Sequence, residues 1–228
     1  MKQLPKGIRA ALFDMDGVLL DSMAIHARCW REAMQQFGID MPEIETYRIE
    51  GMRGLDICHM KAREQFGRDI TDEEAQKIYD AKSAGVDSTT PPPTMPGVKE
   101  LMTKMKADGM TIVVVTGSGH YSLLDDLERR FPGLIDRRMM VTSYDVEHGK
   151  PHPEPYQKGM EKAGTRPEET LVIENAPLGV RSAKAAGAYT IAVNTGPLPK
   201  EILLSEGADV VFDSMQELNN AWNEIKPI

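Results

Sequence analysis

The chain has 228 residues, a formal net charge of −8 at pH 7 and 41% hydrophobic residues, so it can bury a sizeable core as an ordinary globular protein. Its negative charge argues against nucleic acid or an anionic membrane surface as a partner, because the long-range field repels both. No window holds the ~18 consecutive apolar residues of a spanning helix, and only two cysteines are present. We therefore expect a cytoplasmic monomer with free thiols.

Short apolar runs alternate with amphipathic segments over much of the chain. The runs predict β-strands at residues 8–13, 110–115, 139–142, 170–173, 189–193 and 209–212. The amphipathic segments predict helices at residues 98–106, 122–130, 153–163, 179–186 and 214–225. Such alternation predicts an α/β fold with a central parallel sheet between helices.

The stretch that follows the first predicted strand has helical spacing and no convincing strand. Helices are predicted at residues 22–37, 54–66 and 71–84, and Thr71 with Glu74 forms a capping-box pattern at the start of the last one. The proline-rich segment 89–93 then predicts a stiff linker back to the sheet. We therefore predict an α/β core from residues 1–20 and 92–228, with a small all-helical domain, residues 21–91, inserted after the first strand.

Two carboxylates follow the first predicted strand. The side-chain period of two in an extended chain points Asp14 and Asp16 to the same side, and Gly17 permits a sharp turn after them. Paired carboxylates repel each other unless a cation or proton is shared between them. One of them can attack phosphorus as a nucleophile, while the other serves as general acid and base. An acidic surface turn is the alternative for an isolated pair of this kind.

Polar groups also follow other predicted strands, and the chemistry of parallel α/β sheets lies at the carboxyl ends of their strands. Thr116-Gly117-Ser118 can donate hydroxyl and backbone N–H groups to phosphate oxygens, although Thr and Ser before a helix are more often simple caps. Lys150 is flanked by Pro151 and Pro153, which would position its ammonium rigidly for a phosphate.

A further polar pair, Glu174 and Asn175, follows the predicted strand at 170–173. Asn175 offers an oxygen ligand to Mg²⁺, and Glu174 can orient metal-bound waters or the lysine. Read alone, an asparagine before Ala-Pro is a turn residue.

In this order, the four groups resemble the four signature motifs of the haloacid dehalogenase superfamily, which has a Rossmann-like core. The helical insertion after the first motif is similar to the cap of the subgroup that includes β-phosphoglucomutase and many small phosphatases. The resemblance implies that Asp14 is the nucleophile, that Asp16 is the general acid/base, and that Thr116 and Lys150 bind phosphate. It also implies Mg²⁺ held by Asp14, by the Asp16 carbonyl and by the fourth motif.

Two positions depart from the family pattern. The fourth motif usually reads Glu-Asp, whereas Asn175 replaces the aspartate here and removes a negative charge from the metal site. In the insertion, phosphohexomutases of this subgroup carry a basic residue and an arginine where this chain has Glu50 and Gly54. A metal-binding Glu50 could compensate for Asn175, and this pairing resembles a branch that hydrolyses inorganic pyrophosphate. An ordinary exposed position for Glu50 is the alternative.

His26 and Lys82 are the remaining candidates in the insertion. Similar residues assist acid/base chemistry and phosphate binding in the mutases, and a hinge contact is the alternative for His26. The sequence therefore predicts a Mg²⁺-dependent phosphohydrolase, with inorganic pyrophosphate as the first substrate candidate. A sugar-phosphate phosphatase and a β-phosphoglucomutase are the next candidates, and an inactive module that binds a partner through its cap is the non-enzymatic alternative.

Overall fold

The computed structural model describes residues 3–119 and 121–226. Its centre is a six-stranded sheet with the order β3-β2-β1-β4-β5-β6, in which every neighbouring pair is parallel. The strands are β1 Ala10–Phe13, β2 Thr111–Val115, β3 Met140–Val141, β4 Thr170–Glu174, β5 Tyr189–Val193 and β6 Val210–Phe212. The predicted α/β fold with a central parallel sheet is confirmed.

The strand β1 lies between β2 and β4, and the three are in close register. Phe13 is opposite Val114 of β2 on one side and Ile173 of β4 on the other. These strands are apolar and almost wholly buried because helices cover both faces of a parallel sheet. The residues that follow β1, β2 and β4 therefore meet at one edge of the sheet.

Helices pack on both faces of the sheet, and the side chains of β1 alternate between the two faces. The helices outside the insertion are α5 Val98–Ala107, α6 Tyr121–Arg130, α7 Glu154–Ala163, α8 Pro177–Ala185, α9 Lys200–Ser205 and α10 Met215–Ile225. Ala11 and Phe13 join the core formed with α5 and α10, whereas Ala10 and Leu12 join the core formed with α7 and α8. None of the helices in the described part of the chain is long and apolar enough to cross a membrane.

The segment between β1 and α5 contributes no strand to the sheet in the described structure and forms the helices α1 Met23–Gln36, α2 Glu43–Ile49, α3 Gly54–Phe66 and α4 Asp72–Asp87. These helices share a hydrophobic cluster of their own, which includes Trp30, Met34 and Ile57. The chain leaves the sheet and returns at neighbouring positions, since Asp21 N–H donates to Pro93 O at 2.9 Å and Met95 N–H donates to Leu19 O at 2.9 Å. The exact division at residues 20/21 and 91/92 stays a prediction.

Most predicted elements agree with the structure to within a few residues. The capping box is confirmed, because Glu74 N–H donates to Thr71 Oγ1 and the Glu74 carboxylate accepts from Thr71 N–H. The helices α2 and α9 were not predicted, since each is short and presents few apolar residues. The helix predicted from residue 179 begins at Pro177 instead, because proline is well accommodated in the first turn.

The packing of α7 on the sheet depends on Gly159. A Cβ atom at this position would lie 2.7 Å from Leu12 Cδ2 and 3.1 Å from Val115 Cγ2. We expect Gly159→Ala to lower the free energy of unfolding, because overpacking costs about 1–3 kcal/mol and the gain in helix propensity is at most about 1 kcal/mol. Urea denaturation measures the difference.

The matched control is Gln157→Ala on the exposed face of the same helix, which should change the free energy of unfolding by less than about 0.5 kcal/mol. A Gly159→Ala protein as stable as the wild type would contradict this description of the α7–sheet contact.

Candidate active site

The buried ammonium group of Lys150 joins two carboxylates at the carboxyl edge of the sheet. Lys150 Nζ donates to Asp14 Oδ1 and to Glu174 Oε1, each at 2.6 Å. Asp14 follows β1, Glu174 ends β4, and Lys150 lies on the loop before α7. Three of the four sequence groups are therefore in direct contact.

The Glu174 carboxylate is fixed by further hydrogen bonds. Tyr156 donates its hydroxyl to Oε1 at 2.6 Å, and the backbone N–H groups of Asn175 and Ala176 donate to Oε2 at 2.9 and 3.2 Å. A side chain at Gly179 would overlap the same carboxylate, so the helix α8 can pass it only with glycine there. Glu174 thus orients Lys150 and has no oxygen left without a partner.

Asp16 begins a second hydrogen-bonded chain that leads into the insertion. Asp16 Oδ1 accepts from Ser22 Oγ at 2.5 Å and from His26 Nε2 at 3.0 Å. Lys82 Nζ lies 3.0 Å from His26 Nδ1. Because an ammonium group can only donate, His26 Nδ1 accepts, and Nε2–H is then the donor to Asp16. The prediction that His26 and Lys82 lie at the site agrees with this geometry.

The two aspartates have opposite pKa shifts. Burial raises the pKa of Asp14 well above its ordinary value; the Lys150 ammonium opposes this shift, and the carboxylates of Glu174 and Asp16 reinforce it. Burial also disfavours ionised Asp16, but the interactions with His26 and Ser22 outweigh it and lower the pKa of Asp16 to about 2. Asp16 is therefore ionised at neutral pH.

The residues after β2 lie on the other side of Lys150. Thr116 is buried, and its Oγ1 accepts from Ser118 N–H at 3.0 Å. The hydroxyl proton of Thr116 consequently stays available as a donor. Lys150 Nζ also lies 3.4 Å from Val115 O. The segment Thr116-Gly117-Ser118 is thus adjacent to Lys150, as expected if both bind the same phosphate.

Several oxygen donors near Asp14 suit a divalent cation. The buried Asn175 Oδ1 has no hydrogen-bond partner among the described residues. The Asn175 amide also packs so closely on Gly17 that any side chain there would overlap it. No three His, Cys, Asp or Glu side chains in the described residues converge as a ready metal cluster. The unpartnered Asn175 oxygen and the Asp14 carboxylate nevertheless fit Mg²⁺, which takes oxygen ligands and needs few of them from the protein because it commonly retains waters.

Glu50 reaches the site from the end of α2. Burial raises its pKa; the charges of His26, Lys82 and Lys150 oppose this shift, and that of Asp16 reinforces it. Its carboxylate forms no ion pair within 4 Å with a described residue, in contrast to Asp14 and Glu174. The position of Glu50 is therefore that of a half-buried acid facing the active site and not that of a solvated helix end.

Two cavities meet beside Gly117. A small one, about 10 Å³, is bordered by Thr116, Gly149 and Lys150. A larger one, about 330 Å³, extends between the insertion and the core. Its polar lining includes Asp16, His26, Glu50, Lys82 and Ser118, and its apolar lining includes Trp30, Met52, Ile57 and Tyr79. Most residues that the sequence predicted for the site line one of these cavities, and Asp14 and Glu174 lie beside them through their bonds to Lys150.

Tyr156 and Ser22 are site residues whose roles the sequence did not reveal. Tyr156 lies on an amphipathic helix, where an aromatic side chain is expected to fill the core. Its contact with Glu174 joins residues 18 positions apart and carries no local signal. Ser22 could have been recognised only from its place next to Asp21 at the start of a helix.

Comparisons with known proteins agree with this geometry. Residues 11–193 match the haloacid dehalogenase-like hydrolase family. The chain is 28% identical over 209 residues to hexitol phosphatase A of Escherichia coli, covering 91% of each chain. It is 30% identical over 233 residues to glycerol-1-phosphate phosphohydrolase 2 of Saccharomyces cerevisiae, covering 95% of this chain and 86% of the relative.

A solved structure described as "Putative beta-phosphoglucomutase from Bacteroides vulgatus" superposes with a TM-score of 0.92 at 47% identity, covering 96% of this chain and 88% of the other. The chain therefore belongs to the haloacid dehalogenase-like hydrolase family, within the subgroup of β-phosphoglucomutase-like proteins.

Proposed function

We propose that this protein is a Mg²⁺-dependent phosphohydrolase that acts through an aspartyl phosphate on Asp14, and that its substrate is inorganic pyrophosphate. The observation that carries the choice of substrate is the Glu50 carboxylate, which the insertion presents to the site close to Asp16. The phosphoryl-transfer chemistry itself rests on Asp14, Asp16 and Lys150.

Asp14 is the nucleophile in this proposal. Lys150 holds Oδ1 of Asp14, so the other carboxylate oxygen can attack phosphorus. This attack forms a bond between Asp14 and phosphorus while the bond from phosphorus to the leaving oxygen breaks. Water then attacks the same phosphorus, and the bond between phosphorus and the Asp14 oxygen breaks. Asp16 takes the proton of the water and passes it to the solvent, and phosphate leaves with the Asp14 carboxylate restored.

The charge balance of the site supports a divalent cation as a resident cofactor. Four carboxylates, those of Asp14, Asp16, Glu50 and Glu174, share the region with the ammonium groups of Lys82 and Lys150. When bound, Mg²⁺ would neutralise charge on the phosphoryl oxygens and lower the pKa of the carboxylates. Its proposed ligands are Asp14, the Asp16 carbonyl, Asn175 and Glu50, with Glu174 outside the ligand set because Lys150 and Tyr156 already bind it.

The ionised state of Asp16 favours a good leaving group. An acid with a pKa of about 2 has almost no proton to donate at neutral pH. A sugar leaves as an alkoxide that must be protonated, whereas pyrophosphate releases phosphate, which is stable as an anion. This difference supports pyrophosphate over a sugar phosphate.

The insertion supplies the second argument for pyrophosphate. Pyrophosphate is small and densely charged, so cations and metal contacts dominate its recognition. A carboxylate from the insertion that binds the metal would close the site over such a substrate and exclude bulk water. Lys82 and Arg129 line the larger cavity, and Lys150 borders the smaller one, so cations are available to such a substrate.

A phosphatase or mutase for sugar or polyol phosphates is the second candidate. The cavity of about 330 Å³ has the size of an organic ligand site and carries an apolar wall. Relatives named for hexitol phosphate and glycerol 1-phosphate, and the β-phosphoglucomutase-like structure, favour this candidate. Its substrate would place the organic group against Trp30 and Tyr79.

Replacing the nucleophile tests the catalytic part of the proposal. We expect Asp14→Asn to reduce phosphate release with Mg²⁺ by at least about 10³-fold, because an amide cannot form the covalent intermediate. An intact circular dichroism spectrum shows that the fold is kept. Full turnover by this variant would rule out Asp14 as the nucleophile. An inactive module that binds a partner through its cap would instead keep that partner when Asp14 is replaced.

Replacing Glu50 tests the metal-binding role of the insertion. We expect Glu50→Gln to raise the Mg²⁺ concentration for half-maximal pyrophosphate hydrolysis by about 10- to 100-fold, the usual effect of disturbing a metal site. The control is Glu43→Gln, a substitution of the same kind at the exposed start of α2. Equal Mg²⁺ dependence in both variants would leave Glu50 without a metal role.

Restoring the missing charge at position 175 provides a complementary test. We expect Asn175→Asp to lower the Mg²⁺ concentration for half-maximal activity in the Glu50→Gln background, because the new carboxylate replaces the lost one. A double-mutant cycle with the two single variants measures this coupling. Strictly additive effects would show that positions 50 and 175 do not serve a common ion.

A further inference from the structure

The loop after α2, residues 50–53, lies directly on the phosphate-binding loops of the core. Gly51 has a φ of +94°, and a Cβ atom there would lie 2.8 Å from Lys150 Cδ. A Cβ atom on Gly117 would lie 3.4 Å from Gly51 O. The loop that carries Glu50 therefore touches both the second and the third sequence groups through its backbone.

Arg53 links this loop to the core by a directed hydrogen bond. Its Nη1 donates to Glu147 O at 2.9 Å, three residues before Lys150. The aliphatic part of Arg53 also covers Gly149, where a Cβ atom would be 2.8 Å from Arg53 Cγ. The segment 147–149 thus receives both a polar and an apolar contact from one side chain.

The guanidinium group is oriented within the insertion before it meets the core. Arg53 Nε and Nη2 donate to the two carboxylate oxygens of Asp56 at 2.9 and 3.0 Å. A bidentate pair fixes the guanidinium plane. Nη1 is then already directed toward Glu147 O, and the side chain loses little conformational entropy when it binds there. Lysine has no such fork and cannot bind Asp56 and Glu147 in the same way.

The exposure of the Arg53–Asp56 ion pair argues against a mainly structural role for Arg53. The side chains of Arg53 and Asp56 are 43% and 41% exposed, and exposed pairs contribute little to folding stability. The polar contacts of Arg53 are with Asp56 and Glu147 O, whereas His26, Lys82 and Lys150 are the cations that lower the pKa of Glu50. Its direct effect is therefore on the position of the loop.

We infer that Arg53 is a positioning residue that holds the Glu50 loop against the Lys150 loop, with Asp56 orienting its guanidinium group. This contact favours the observed position of the loop, in which Glu50 faces the proposed metal site. This inference rests on the proposed function for its catalytic consequence, but the position of the loop can be measured without substrate or metal.

The test compares four full-length variants: Arg53→Ala, Arg53→Lys, Asp56→Asn and, as the control, Arg48→Ala, which removes an exposed arginine of the same insertion. Backbone amide hydrogen exchange of residues 50–53 is measured without Mg²⁺, and kcat, KM and Mg²⁺ dependence are measured with pyrophosphate. We expect at least about tenfold faster exchange and about tenfold lower kcat in both Arg53 variants, as for loss of a closing contact. Asp56→Asn should have a smaller effect in the same direction.

Three results would overturn the inference. Wild-type exchange and kcat in Arg53→Lys would show that only the charge matters, as in electrostatic attraction of an anionic substrate. A fall in melting temperature that accounts for the loss of activity would show a structural role. Unchanged exchange in Arg53→Ala would show that the loop needs no such contact. Faster exchange in a protein that does not hydrolyse pyrophosphate would support the positioning role while rejecting the proposed substrate.

Discussion

The buried ammonium of Lys150 keeps the carboxylates of Asp14 and Glu174 together at the edge of the sheet. Each acid comes from a different strand, so their separation is set by the register of β1 and β4 and by this single cation. Removing one partner of such a buried group typically costs about 3–5 kcal/mol, because a charge is left without compensation. Tyr156 and the glycine at position 179 serve the same arrangement by fixing Glu174. The core thereby presents Asp14 in one orientation toward an incoming phosphoryl group.

The insertion adds charged side chains to the site that the core does not supply. It provides His26 and Lys82, which favour ionised Asp16, and Glu50, which adds a carboxylate to the lining of the larger cavity. Burial raises the pKa of both Asp14 and Glu50, and neighbouring carboxylates reinforce the shift. A divalent ion would favour the ionised carboxylates, and the loop that carries Glu50 would then respond both to the metal and to its contacts with the core. The same few residues would therefore both recognise the substrate and hold the Glu50 loop over it.

Much of this arrangement follows from local sequence. The strands are short apolar runs that end in polar residues, so both the sheet and the positions of Asp14, Thr116 and Asn175 could be predicted from parallel-sheet geometry. The helices α2 and α9 were missed because a single apolar face is hard to recognise in six or seven residues. The bond from Arg53 to Glu147 O joins residues 94 positions apart and depends on how the insertion meets the core. Contacts of this kind have no periodic signal and require the tertiary structure.

The most direct measurement is the steady-state kcat/KM of the wild-type protein with Mg²⁺ for pyrophosphate, β-glucose 1-phosphate, glycerol 1-phosphate and a hexitol phosphate. The account predicts that pyrophosphate exceeds every organic phosphate by at least about a hundredfold. The ionised Asp16 favours a stable leaving group, and Lys82, Lys150 and the proposed metal favour a compact anion. Comparable or faster turnover of a polyol or sugar phosphate would contradict it, as would conversion of β-glucose 1-phosphate to glucose 6-phosphate with little free phosphate.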